Sequence, residues 1–294
     1  FAIWANHKGW QLPALHVQIC NWLENRGRVA VLEVFRGAAK STIVACYEAY
    51  VLWKNPQWRF LVQAADDDLA VSMSRDCREV LRQHPLCVGM LDNKTSEHTF
   101  WVKAANDMRN ASVTAAGIMS NVVGSRADEV IFDDVEVPRN ISSHALREKL
   151  RARMSDATYI LVKGGKKLFI GTPHCHDSIY DEEEAKGADT LKIPLFRNNQ
   201  RGEYAEPISS IRLIDHERDL IVMRGADALQ DGFDYSVDGD VMTFTKPFTG
   251  LLDIYSGCAW PERFPPDEIA SRRKQAYSLN EWDSQYMLRA KPLD

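Results

Sequence analysis

Nowhere in these 294 residues is there a Cys-x-x-C pair, an apolar run long enough to cross a bilayer, or an excess of basic charge. Each absence removes a class of protein. The six cysteines (Cys20, Cys46, Cys77, Cys87, Cys175 and Cys258) are scattered, as reduced and mostly buried thiols of a cytosol are, and make neither a disulfide framework nor a zinc module. With no long apolar run and no charged-then-apolar leader, no membrane partner is expected. A net charge of −5 excludes a protein coated on all sides with nucleic acid, while a local basic lining stays open. Glycine and proline are too few for a collagen-like or low-complexity chain. What remains is an ordinary apolar and charged content, enough for one large domain or one domain with a small companion. The chain opens on Phe1 rather than Met, which reads as a fragment.

The stretch Val29 to Thr42, VAVLEVFRGAAKST, organises the rest. A β-branched apolar run ends in Phe35, turns through Arg36-Gly37-Ala38-Ala39 and reaches Lys40-Ser41-Thr42 at the start of a helix-forming segment. Strand, tight loop and helix N-terminus in that order make a phosphate cradle. The loop's N–H groups and the helix dipole favour an anion, the lysine adds a point charge, and the Ser41 hydroxyl can ligate Mg²⁺. The usual pattern has glycine at both ends of the loop; here Phe35 and Ala39 stand in those places, with Gly37 between.

Downstream, Val130-Ile131-Phe132 is a short apolar strand that ends in Asp133-Asp134. A buried parallel strand delivers such acids to the crevice where open α/β sheets bind ligands, so with the loop it predicts a Mg-nucleotide site. The chemistry needs one carboxylate for Mg²⁺, for which Asp133 fits, and one to orient the attacking water. For the second role, strand alternation puts Asp134 and Glu136 on the same side, and the two stay open as alternatives. Lys167 to His174 predicts another core strand ending in Gly-Thr-Pro, where Thr172 either senses the γ-phosphate or caps the following turn. Gln18, on an amphipathic helix one helix and one strand upstream of the loop, either reads an adenine edge or is solvated. His174-Cys175-His176-Asp177 lacks a second ligand pair at zinc spacing, and Asp177-Ser178 resembles a helix start, so no zinc is expected.

Helices are predicted over 12–23, 41–53, 66–83, 142–154 and 266–277, and strands over 58–64 and 98–118, the last holding two pieces that read as antiparallel or edge strands. From about 198 to 257 the pattern changes to alternating residues around Gly and Asp turns, above all Asp238-Gly239, a hairpin signal. The expected organisation is therefore an α/β core over 1–197, a small all-β insertion over 198–257, and the C-terminal part of the core over 258–294.

Together these residues resemble a family, the large terminase subunit of tailed phages, in particular its short-tailed phage branch. The matching motifs are FRGAAKS at 35–41, GSRADEVIFDDVEVP at 124–138, REKL at 147–150, IGTPH at 170–174, WPERF at 260–264 and SQYML at 284–288, in the family's order. The resemblance implies a RecA-like P-loop ATPase with a mainly parallel central sheet flanked by helices, which uses Mg-ATP to drive double-stranded DNA into a procapsid. It implies roles for Gln18 at adenine and for Arg36 as a phosphate-sensing arginine. It places Gly37, Ala38, Ala39, Lys40, Ser41 and Thr42 around phosphate and Mg²⁺, and Thr172 in coupling. The family commonly has Arg-Gly-x-Arg before its acidic strand, of which Val123-Gly124-Ser125-Arg126 keeps the second arginine. Arg126 is thus the candidate for a finger reaching a neighbouring subunit's nucleotide, with Arg147 behind it. The implied partners are the portal protein, the small terminase subunit and further copies in a homo-oligomeric ring, pentameric on the procapsid. The implied place is the host bacterial cytoplasm during virion assembly, not the mature virion. The family's metal-dependent nuclease domain would begin about where this chain stops, so no nuclease activity is expected of it. The alternatives are a helicase-like RecA-fold ATPase acting on nucleic acid and a nucleotide-binding adaptor that does not hydrolyse.

Overall fold

The apolar run that begins at Val29 is buried at every position after the first, as a strand covered on both faces must be. The computed structural model describes residues 1–122, 124–175 and 177–290. They divide into two units, Phe1–Lys192 with Leu288–Asp294, and Ile193–Met287. No helix among the described residues is long and apolar enough to cross a membrane.

The first unit runs α1 (Ala2–Lys8), α2 (Ala14–Asn25), β1 (Val29–Val34), α3 (Lys40–Lys54), β2 (Phe60–Ala64), α4 (Asp67–Gln83), β3 (Leu91–Thr95), β4 (Thr99–Val102) and β5 (Val113–Gly117). It continues through β6 (Ala127–Asp133), α5 (Pro138–Ile141), α6 (His144–Thr158), β7 (Leu161–Gly171), α7 (Ile179–Ala185) and β8 (Asp189–Ile193). Among the described residues its strands form one sheet in the order β3-β4-β5-β2-β6-β7-β1-β8. The pairs β5–β2, β2–β6, β6–β7 and β7–β1 are parallel, while β3–β4 and β4–β5 are antiparallel. The mainly parallel α/β sheet expected from the sequence is therefore present. The two pieces of 98–118, read from the sequence as antiparallel or edge strands, give β4 and β5 antiparallel to each other, while β5 lies inside the sheet rather than at its edge and is parallel to β2 on its other side. Its alanines and glycine give a weak strand signal that packing of Ala115 against Ala64 and Ala70 overrides.

Local chemistry explains the helix starts. The Asp66 carboxylate accepts the Leu69 N–H at 2.9 Å, with Asp67 and Asp68 in the first turn of α4. The Ser143 hydroxyl accepts the Leu146 N–H at the start of α6. Phe132 and Phe169 stack across β6 and β7 with ring centroids 4.8 Å apart, and Leu150, Met154 and Ala157 of α6 close the same core. Beneath α3 a polar network is buried in this unit. Arg26 pairs with Glu129 of β6, and the Tyr47 hydroxyl accepts from Arg26 at 3.0 Å and donates to Glu129 at 3.1 Å.

Register positions the site. Asp133 at the end of β6 pairs with Ile170, and Glu33 of β1 pairs with Gly171, so the carboxyl ends of β6, β7 and β1 fall on one line. The loops that follow them, 35–39, 134–137 and the segment from Thr172 to Cys175, share one edge of the sheet. Gly171 is required there because a Cβ would sit 1.8 Å from the Tyr180 hydroxyl oxygen. That hydroxyl donates to the Ile170 carbonyl at 3.2 Å.

The second unit holds β9 (Phe196–Arg212), β10 (Ile221–Arg224), β11 (Asp227–Ala228), β12 (Tyr235–Asp238), β13 (Val241–Cys258), α8 (Pro266–Gln275) and α9 (Leu279–Met287). The long strand β13 pairs antiparallel with β9, β10 and β12, and Asp238 opposes Val241 across a turn in which Gly239 has φ 59°. Its core is Leu213, Val222, Met242, Phe244, Phe248 and their neighbours. The unit is larger than the 198–257 segment read from the sequence, because residues 258–287 join it rather than the α/β core. The reason is a set of buried charges. Asp253 accepts from Arg273 of α8 at 2.6 Å and pairs with Arg201, whose other nitrogens bind Asp283 of α9 at 2.6 and 2.8 Å. The Tyr255 hydroxyl accepts from Arg273 at 2.7 Å and from the Trp282 indole at 3.1 Å.

Candidate nucleotide site

After β1 the chain turns sharply. Gly37 has φ 89° and Ala39 has φ 64°, ψ 28°, the left-handed region. Ala39 thus takes the backbone conformation that glycine supplies in the usual loop, at a cost of about 1–2 kcal/mol for a residue with a Cβ. A non-glycine held there is strain kept by its surroundings, which is typical of ligand sites. Ala39 is also the residue before α3, and no side chain caps that helix N-terminus. The first-turn N–H groups of a 15-residue helix and its positive dipole end face out of the loop. This is an anion cradle.

Lys40 is the first residue of α3, and its Nζ lies 2.9 Å from Asp134 Oδ2. The Asp134 N–H donates to the Ile170 carbonyl at 2.8 Å, and its φ of 42° turns the chain out of the strand immediately after Asp133. Asp133 is buried, and burial first, then the charge of Asp134, push its pKa up from the usual carboxylate range, with Lys40 opposing. Its Oδ1 is buried and accepts no hydrogen bond among the described residues. A buried carboxylate oxygen in that condition suits a hard divalent cation, and Ser41, one residue past Lys40, sits half-buried in the first turn. The donor set therefore fits Mg²⁺ held by Asp133 and Ser41.

The alternation that put Asp134 and Glu136 on one side does not continue, because β6 ends at Asp133 and Asp134 leaves extended geometry. Glu136 is 1% exposed, and its two oxygens accept the His174 N–H at 2.9 Å and the Ile179 N–H at 3.0 Å, with Cys175 Sγ at 3.7 Å. It ties the acid loop to the loop that carries Thr172. Asp134, with its side chain about one-third exposed beside Lys40, is the acid on the open side. Thr172 is buried directly after β7.

The other expected residues are divided between this site and the rest of the unit. Arg36 and Thr42 lie in the loop and the first helical turn, Arg36 exposed and Thr42 half-buried. Gln18 is on the exposed face of α2. His16, two residues earlier and about 200° round the helix, is buried with its Nε2 2.9 Å from the Ala38 carbonyl oxygen. Arg126 is exposed just before β6 and lines a cavity of about 480 Å³ with Arg109, Asn110, Asp156 and Tyr159. It is thus at the opposite edge of the sheet from Asp133. Arg147 is tied within its own chain, with Nε 3.0 Å from Asp177 Oδ2 and Nη1 donating to the Ile141 carbonyl at 2.9 Å. Of the tetrad at 174–177, His176 lies outside the described residues, and Cys175 is buried beside Glu136. Sequence reasoning missed His16. Its signal was a histidine inside the buried stripe Leu15, Ile19, Leu23, where a polar ring needs a partner.

A mainly parallel α/β sheet whose carboxyl edge carries a strand-loop-helix anion cradle facing two adjacent acids defines the P-loop class. Within it, the chain resembles large terminase subunits of tailed phages, as its motifs imply. Over 179 residues, 59% of this chain, it is 29% identical to the large terminase subunit of Enterobacteria phage T3, and the match spans 30% of that protein's length. No family model matches the chain. Solved structures similar to it include the large terminase ATPase domain of Thermus phage P74-26, with 15% identity and a TM-score of 0.41 over 65% of this chain and 84% of that one. The HK97 bacteriophage large terminase has 11% identity and a TM-score of 0.45, over 64% of this chain and 40% of that one. The large terminase of a thermophilic bacteriophage, solved in complex with ADP, has 12% identity and a TM-score of 0.40, over 62% of this chain and 45% of that one.

Proposed function

We propose that this chain is the ATPase motor part of a phage large terminase, coupling Mg-ATP hydrolysis to translocation of double-stranded DNA into a procapsid. The observation that carries the reading is the 2.9 Å contact between Lys40 and Asp134 beside the buried Asp133, opposite an uncapped helix N-terminus. Phosphoryl transfer asks the protein mainly for positioning and charge stabilisation, and these are the groups present. The loop N–H groups of 37–41 and Lys40 bind the β- and γ-phosphates. Asp133 and Ser41 hold Mg²⁺, which neutralises phosphate charge when bound. Asp134 orients the attacking water and takes up its proton, and Arg36 lies in the loop where it meets phosphate. Glu136 joins the acid loop to the segment after β7, so loss of the γ-phosphate at Asp134 has a mechanical route to Thr172. Arg126 acts on a neighbouring subunit's nucleotide, in a homo-oligomeric ring that works with portal protein and small terminase subunit in the host cytoplasm.

The test is turnover of Mg-ATP by the chain, alone and assembled with procapsid and linear duplex DNA, with strand separation measured in parallel. Hydrolysis raised by assembly with DNA, without strand separation, is the expected result. Strand separation would favour a helicase, and nucleotide binding without hydrolysis in any assembly would favour an adaptor.

A further inference from the structure

His16 is 3% exposed on α2, among the buried Leu15, Ile19 and Leu23 of the same helix, with the Phe1 ring edge-on at 5.5 Å. Its Nε2 lies 2.9 Å from the carbonyl oxygen of Ala38, itself 1% exposed. A carbonyl only accepts, so this nitrogen carries the proton. Burial lowers the ring's pKa, opposed by that same hydrogen bond, so the ring donates as neutral imidazole. The Ala38 carbonyl and the Ala39 N–H belong to one planar trans peptide and point in opposite directions. Holding the carbonyl toward α2 therefore holds the Ala39 N–H away from it. The same peptide enters Ala39 at φ 64°, a conformation an alanine would leave if the peptide were free to flip.

We infer that His16 is the positioning residue of the phosphate loop, a donor on α2 that locks the 38–39 peptide in the orientation in which its N–H serves an anion. The inference rests on the reading of this loop as a nucleotide site, and assigns the loop's strain an anchor outside the loop. His16 touches no reacting atom. Its loss weakens the cradle for ground state and transition state alike, so KM rises while kcat holds.

The experiment uses two variants of similar volume, His16→Gln, which keeps an N–H donor, and His16→Met, which keeps only the packing. Amide hydrogen exchange of the 36–42 segment is measured without nucleotide, and Kd and KM for Mg-ATP are measured separately. His16→Met is expected to exchange faster in that segment and to raise Kd and KM about tenfold, as removal of one hydrogen bond to a buried acceptor does. His16→Gln is expected to restore most of both. Equal exchange and equal affinity in Met and Gln variants would overturn the assignment, since packing alone would then suffice. A wild-type chain that binds no nucleotide would overturn the proposed function instead, and the exchange measurement would still decide the role of His16.

Discussion

Lys40 and Asp134 meet at 2.9 Å across the carboxyl edge of the sheet, joining the phosphate loop to the acid loop. The lysine contacts Asp134, its charge also acts on the buried Asp133, and its head is only partly exposed, with a side chain at 14%. Lys40→Ala should therefore abolish hydrolysis, by at least about 10²–10³, the usual effect of removing one preorganised charge-stabilising group. The fold should survive, because the remaining residues of α3 keep their buried face. A folded Lys40→Ala chain with wild-type turnover would remove this lysine from the mechanism.

Asp134 and Glu136 should separate cleanly in their amide variants. Asp134→Asn is expected to bind Mg-ATP nearly as the parent does and to turn it over about 10²–10⁴-fold more slowly, as loss of a group acting in the transition state does. Glu136→Gln should behave differently. One of its oxygens becomes an NH₂ facing a backbone N–H, either that of His174 or that of Ile179, so the variant should lose about 1–3 kcal/mol of stability. Thermal unfolding and single-turnover hydrolysis of both variants check this. If Glu136→Gln keeps its Tm and loses only chemistry, while Asp134→Asn stays fast, the water-orienting acid is Glu136.

Arg126 stands at the amino end of β6, and the seven residues of that strand put roughly 20 Å between it and Asp133. It does not reach the phosphate loop of its own chain, so any action on nucleotide is on a neighbour's. Mixing Arg126→Ala with Lys40→Ala chains in the assembled ring should then restore part of the activity that each lacks alone, since an arginine supplied across a boundary contributes about 10³–10⁵ in rate. An Arg126→Ala ring as active as the parent would place the finger elsewhere.

The turn after β1, the start of α3 at Lys40 and the end of β6 at Asp133 were legible because their signals are local. A β-branched run, a turn and Lys-Ser-Thr are contiguous, and a strand that ends in two acids says where it ends. The substitution of Ala39 for glycine was visible in the sequence, but its left-handed backbone was not, since an alanine ordinarily avoids it. What escaped depends on partners far along the chain. Glu136 is committed to N–H groups of His174 and Ile179, and Asp253 to Arg201 and Arg273, and no periodicity announces such pairings. The second pairing is why the β unit extends to Met287 rather than to 257. The placing of β5 inside the sheet also followed from packing, not from its own weak propensity.

Glu48 gives a last and purely thermodynamic test. It lies fully buried on α3, and burial first, then the charges of Glu129 and Asp133, raise its pKa well above the usual carboxylate range, with the Cys77 thiol opposing. In the unfolded chain it titrates near its ordinary value, so above about pH 4.5 the folded state binds a proton that the unfolded state has released. Stability from this group is therefore greatest below that pH and falls as pH rises toward the folded pKa, by up to about 1.4 kcal/mol per pH unit. Glu48→Gln removes the titration while keeping the shape of the protonated acid. The difference in unfolding free energy, variant minus parent, should climb steadily from about pH 5 to about pH 7, whatever constant offset the amide introduces. Chemical denaturation at several pH values measures it. A difference that stays flat across that range would mean that Glu48 ionises in the folded protein much as it does in the unfolded chain, and that its neighbours have rearranged to accept the charge.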